Sequence, residues 1–193
     1  MELRIVDPET GEELEPDVEG EIAIRGVTLM RGYYKVEPER CFDEAGFFRT
    51  RDGGRLDDDG YLHWTGRLSD MIKTGGANVS PVEIEAALSG CPGLRAGLAV
   101  GVPHPSFGEV VILCALPIAG AALDAEAIRN HLRERLAAYK LPRFVLFFEE
   151  NEISFTGTQK VQVGPLREEV LRRLRAGHTA IEGFVYGDES EHS

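Results

Sequence analysis

Several protein classes are excluded by what these 193 residues lack. The three cysteines, Cys41, Cys91 and Cys114, are scattered, with neither metal-ligand spacing nor the density of a disulfide framework. The five histidines, His63, His104, His131, His178 and His192, form no metal-like cluster along the chain. Basic residues are in the minority: 21 Lys and Arg against 33 Asp and Glu leave a net charge of −12. That balance argues against general affinity for nucleic acid or anionic membranes. Apolar runs such as Ala96 to Val102 are far too short to span a bilayer. Met1-Glu2-Leu3-Arg4 opens without the apolar stretch of a secretory signal, so a reducing cytoplasm is the expected setting. No Ser/His/Asp or Cys/His nucleophile arrangement and no glycosidase-like carboxylate pair is evident.

What is present is the profile of a globular protein, with 42% hydrophobic and 28% charged residues. The charge is uneven. Up to Gly66 there are 8 Lys and Arg against 17 Asp and Glu, and the rest of the chain is nearly neutral. The pattern also changes there. Leu3–Val6, Gly20–Arg25, Phe47–Arg49, Gly54–Leu56 and Tyr61–Trp64 read as short strands. Ile22 and Ile24 alternate with polar or small neighbours, as in a half-buried strand, and Asp57-Asp58-Asp59-Gly60 is turn chemistry. These predict a small antiparallel sheet.

Beyond Gly66 helices alternate with strands. Ser80-Pro81-Val82-Glu83 predicts a capped helix start with a capping box, running to about Leu88 and stopping near Gly90. Strands are expected at Leu94–Val102, Glu109–Leu116 and Arg143–Phe148. Asp124 caps a second helix with Ile128, Leu132 and Leu136 on one face. Pro165 opens a third, with Leu166, Val170, Leu171 and Leu174 on its apolar side. The fold class expected is α+β: an antiparallel β subdomain (1–68), then a compact α/β domain (69–175), then an acidic tail (176–193) with one docked stretch at Phe184–Tyr186.

Four polar features can carry chemistry, and each has a plainer alternative. Asp52, ending Phe48-Arg49-Thr50-Arg51-Asp52, suits a ribose diol or a simple turn. Arg67, in Gly66-Arg67-Leu68-Ser69-Asp70, offers a fork of donors to a phosphate or ribose, or a loop salt bridge. Gly75-Gly76 after Lys73 lets a ligand approach the backbone closely, or makes a hairpin turn. Lys160, in Thr156-Gly157-Thr158-Gln159-Lys160-Val161, is a movable cation or a solvated one.

In this order, the features resemble the adenylate-forming superfamily of acyl-CoA synthetases, adenylation domains and luciferases, over roughly residues 1–175. The resemblance runs through Gly20-Glu21-Ile22-Ala23-Ile24-Arg25-Gly26 and Gly46-Phe47-Phe48-Arg49-Thr50-Arg51-Asp52. It continues through Asp59-Gly60-Tyr61-Leu62 and the long run from Gly66 through Gly75-Gly76 to Glu85. It closes on Tyr139-Lys140-Leu141-Pro142-Arg143 and the Lys160 motif.

The resemblance implies the carboxy-terminal part of an ATP-dependent acid–CoA ligase acting on a small-molecule carboxylic acid. Its substrates and cofactors would be ATP, Mg2+ and CoA, with nucleotide and metal bound mostly by a missing large domain, present in cis or in trans. It implies ribose binding by Asp52, a ribose or phosphate contact by Arg67, and charge stabilisation during adenylation by Lys160. A hinge would lie at Ser69–Asp70, and Lys73, Gly75 and Gly76 would line the pantetheine tunnel. Three positions depart from the family pattern: Ser69 at the hinge, Arg51 where a glycine precedes the ribose aspartate, and Gln159 where a glycine precedes the lysine. No phosphate loop with a lysine occurs. That absence keeps two alternatives in view: a non-catalytic module binding CoA or a partner large domain, and a module loading a carrier protein.

Overall fold

The computed structural model describes residues 1–154 and 161–188. The chain divides into two units, Met1–Asp70 and Met71–Ser193.

The first unit is an antiparallel meander. Strands β1 (Glu2–Val6), β2 (Gly20–Arg25), β3 (Phe48–Leu56) and β4 (Leu62–Arg67) lie in that order. The two short strands expected at 47–49 and 54–56 are one strand, β3. Its register against β2 shifts between Glu21 and Ala23, so Thr50, Arg51 and Asp52 bulge from a continuous ladder. The bulge hides the strand from a period-two reading, because its residues break the alternation. Gly20 through Ala23 are all buried, so β2 is covered on both faces rather than half-buried. The apolar core of this unit is small: Val6, Ala23 and Phe47 cluster, and Ile5 and Ile22 are buried beside them. Arg4 and Arg25 each place a guanidinium over the Phe47 ring, at 4.0 and 4.4 Å from its centroid.

The second unit is layered. Its mixed sheet orders β6 (Ala77–Val79), β5 (Ile72–Thr74), β8 (Gly108–Pro117) and β7 (Leu94–His104), with β9 (Phe144–Phe147) parallel to β8. Val110 through Leu116 are buried without a break, as a strand covered on both faces requires. Alternate residues feed two cores. Ala99, Val111, Leu113 and Ala115 meet Ile84 and Leu88 of the α1 region (Pro81–Ala87) and Ile128 and Leu132 of α2 (Ala125–Arg133). Val100, Val102, Ile112 and Cys114 meet Leu166, Val170 and Leu174 of α3 (Val163–Ala176).

Ser80 caps α1 by accepting from Glu83 N–H at 3.2 Å, and Asp124 caps α2 by accepting from Ala127 N–H at 2.8 Å. The Glu83 carboxylate binds Lys140 Nζ at 2.6 Å, a long-range pairing in place of the expected capping box. Helix α3 begins at Val163, two residues before Pro165. A proline in the first turn costs little, since N–H groups there have no helical partner. The stretch expected as a tail carries a hairpin, β10 (Ala180–Ile181) with β11 (Phe184–Val185). Ile181 and Tyr186 are buried in the α3-side core, and the Tyr186 hydroxyl donates to the Pro103 carbonyl at 2.8 Å. Among the described residues no helix is long and apolar enough to cross a membrane.

Candidate functional site

Within the first unit, the β3 bulge aims a set of polar groups. The Thr50 hydroxyl donates to the Ile22 carbonyl at 2.7 Å and accepts from Asp52 N–H at 3.0 Å. One side chain thus bridges the gap in the ladder and orients the backbone of Asp52. Beneath the bulge lies Glu21, fully buried. Its carboxylate accepts from Arg51 N–H at 2.9 Å and from Arg49 Nε and Nη2 at 3.0 and 2.6 Å. A buried carboxylate held by three donors makes the bulge a fixed shape. Arg51 itself has φ +63°, the left-handed region that favours glycine.

The same bulge brings two of the expected residues together. Asp52 and Arg67 are register partners across β3 and β4, and Arg67 Nε lies 3.1 Å from Asp52 Oδ1. Arg67 Nη1 donates to the Thr50 carbonyl at 3.0 Å, so the guanidinium is pinned at two points. Asp52 is half-buried and Arg67 exposed, which leaves the pair open to a polar ligand. Ser69 and Asp70 follow in a single 3-10 turn, both exposed, with Ser69 Oγ donating to Asp70 Oδ1 at 3.0 Å. The division between the two units falls at the next peptide bond.

Within the second unit, Gly75 and Gly76 form the two-residue turn between β5 and β6, with φ of +57° and +82°. Two successive positive φ values make the primed turn that joins tight hairpins, which is why both residues are glycine. An added Cβ on Gly76 meets nothing within 4 Å, and one on Gly75 meets Phe107 Cδ1 at 3.6 Å. The glycines answer the turn's dihedrals, and they leave the loop's outer surface bare. Lys73, Gly75 and Gly76 are exposed. Lys160 and Gln159 lie outside the described residues. The chain on either side of them is drawn together where Gln162 N–H donates to the Ser154 carbonyl at 2.9 Å, between the buried Ile153 and Leu166.

Glu21, the buried carboxylate that braces the bulge, is the residue of this cluster that sequence reasoning passed over. The only signal for it was a charged residue inside an otherwise apolar strand, flanked by Gly20 and Ile22. Lys140 lies in the Tyr139–Arg143 motif. Burial would lower its pKa, yet the interactions with Glu83 and Tyr139 together raise it.

Comparison with known proteins joins these pieces. Residues 83–160 match the AMP-binding enzyme C-terminal domain, and residues 1–34 match the AMP-binding enzyme model. A feruloyl-CoA synthase from Amycolatopsis sp is 38% identical over 168 residues, 86% of this chain and 33% of that protein. An oxalate–CoA ligase from Arabidopsis thaliana is 38% identical over 164 residues, 84% of this chain and 31% of that one. Among solved structures, ATP-bound MatB from Rhodopseudomonas palustris superposes with a TM-score of 0.79 at 36% identity, over 87% of this chain and 33% of its own. The o-succinylbenzoate CoA synthetase of Bacillus subtilis, in complex with its acyl-adenylate intermediate, gives 0.76 at 28% identity, over 88% and 33%. The chain thus spans about a third of the length of these relatives.

Proposed function

We propose that this chain, which belongs to the AMP-binding enzyme family and carries its C-terminal domain, is the carboxy-terminal part of an ATP-dependent acid–CoA ligase. The whole reaction joins a carboxylate to ATP, releasing pyrophosphate and leaving an acyl-adenylate. A thiol then attacks the acyl carbon, AMP departs, and a thioester remains. The thiol donor in this reading is CoA.

The observation that carries the reading is the Asp52–Arg67 pair on its bulge, followed within a few residues by the Ser69–Asp70 turn where the two units divide. In this mechanism the Asp52 carboxylate accepts hydrogen bonds from the ribose hydroxyls, and Arg67 stays beside it as a donor. Lys160 places its ammonium between the substrate carboxylate and the α-phosphate as charge builds in the first transition state. Rotation about Ser69–Asp70 then withdraws the lysine and presents Lys73, Gly75 and Gly76 to the incoming thiol. The domain limits we assign are 1–68 and 69–175, with the described part of 176–193 packed onto the second through Ile181 and Tyr186.

ATP, Mg2+ and the acid would be held mostly by the two thirds of the ligase outside this chain, supplied in cis or in trans. Among the described residues no group of three His, Cys, Asp or Glu side chains could hold a metal. The test is pyrophosphate release from ATP and a panel of carboxylic acids by the pure chain. None is expected, and release by the pure chain would show that it is self-sufficient.

A further inference from the structure

We propose that Glu109 is a positioning residue for the thiol-side loop, its carboxylate holding strand β5 and the Gly75–Gly76 turn against the β7–β8 hairpin. The inference rests on reading Lys73, Gly75 and Gly76 as the thiol-binding loop.

Strand β5 pairs with β6 along its whole length but is weakly held to the rest of the sheet. Its pairing with β8 is the single register pair Thr74 with Gly108, and beyond it Gly75 N–H donates to the Phe107 carbonyl at 2.9 Å. The contact that supplements these comes from a side chain: Glu109 Oε2 accepts from Lys73 N–H at 2.9 Å. The other oxygen, Oε1, accepts from Arg167 Nη2 of α3 at 2.6 Å. One carboxylate therefore links β5, β8 and the helix that follows the Lys160 segment.

The surroundings are shaped for it. A Cβ on Gly101, diagonally across the ladder, would stand 3.0 Å from Glu109 Oε2 and 2.9 Å from Ile72 Cγ2. Glycine at 101 leaves the space that the carboxylate occupies. A carboxylate accepting from one backbone amide and one guanidinium is the stronger kind of hydrogen-bond anchor. The adenylation step proposed above assigns Glu109 no contact, so its effect should fall mainly on the thiol half-reaction.

Two measurements test this. In the chain itself, Glu109→Ala should speed amide hydrogen exchange at Lys73 and Gly75 about tenfold or more, the scale expected for losing a hydrogen bond to a charged group. Glu109→Gln, which keeps an acceptor for Lys73 N–H, should fall between. Exchange at Ile112 and Cys114 in the centre of β8 should not change. Unaltered exchange at Lys73 and Gly75 overturns the assignment, and so does equal acceleration at β8, which would mean only general loosening.

In the whole ligase carrying this chain, Glu109→Ala should raise the KM for CoA about tenfold, while ATP–pyrophosphate exchange stays within about twofold. Gly101→Ala should act in the same direction by displacing the carboxylate. Equal loss of both half-reactions, or an unchanged KM for CoA, counts against the proposal. If the wild-type ligase transfers no acyl group to a thiol while the exchange result holds, the ligase reading fails and the anchoring of β5 by Glu109 stands.

Discussion

Arg51 occupies a backbone conformation, φ +63°, that costs an L-residue roughly 1 kcal/mol or more. The resemblance noted a glycine at this position, and the structure gives the physical reason. Arg51→Gly relieves that strain but adds freedom to the unfolded chain. The net expectation is a gain of about 0.5 kcal/mol, read as a higher urea midpoint for the first unit. A loss of stability would mean that the Arg51 side chain contributes more than its backbone costs. Glu21 is the opposite case. Glu21→Ala removes the partner of a mostly buried arginine and of the Arg51 amide, and should cost about 3 kcal/mol. Nucleotide binding through Asp52 should weaken with it, checked by urea unfolding and by nucleotide titration of the whole ligase. At this scale the sequence singled out Asp52 and Arg67 because their motifs are local, and the structure pairs them across β3 and β4. The sequence did not reveal Glu21, because its role depends on a bulge that joins residues 28 positions apart.

Among the elements, local chemistry was legible and tertiary chemistry was not. Ser80 and Asp124 cap their helices as expected, since a cap needs only the next three residues. Glu83 turns instead to Lys140, 57 positions away, which no local pattern indicates. The β10–β11 hairpin was missed as an element because its burial comes from contacts such as Tyr186 with Pro103, not from periodicity.

Helix α3 carries a prediction of its own. Glu169 accepts from Arg172 and then from Arg173, at 2.6 to 2.7 Å, and these hydrogen bonds lower its pKa from 4.5 to about 2. A depressed carboxylate pKa stabilises the fold fully above the unfolded value and loses that contribution as pH falls through the folded one. The contribution is therefore complete above about pH 4.5 and drains away towards pH 2. Solvent screening holds it to about 1 kcal/mol. Wild type should melt above Glu169→Gln at pH 6, and the gap should narrow to a small part of that by pH 2.5. A gap that is the same at both values would contradict the assignment.

For the molecule as a whole, the two units differ in how far they bury themselves. The second has two well-filled cores on either face of its sheet. The first has little beyond Val6, Ala23 and Phe47, while Tyr34, Tyr61 and Trp64 stand exposed. A sheet with so small a core gains little from its own packing. The chain spans about a third of the length of its relatives. The two units part at Asp70, close to the change of charge and pattern at Gly66. The thin core of the first could not be read from the sequence, because strand pattern does not say what covers a face.

The most direct measurement joins this chain to the amino-terminal two thirds of an acid–CoA ligase relative, and follows ATP–pyrophosphate exchange with that relative's acid. The account predicts exchange in the joined protein, none in either part alone, and a fall of about a hundredfold or more in Lys160→Ala. Full exchange with Lys160→Ala, or with the amino-terminal part alone, would contradict the claim that this chain supplies the adenylating lysine.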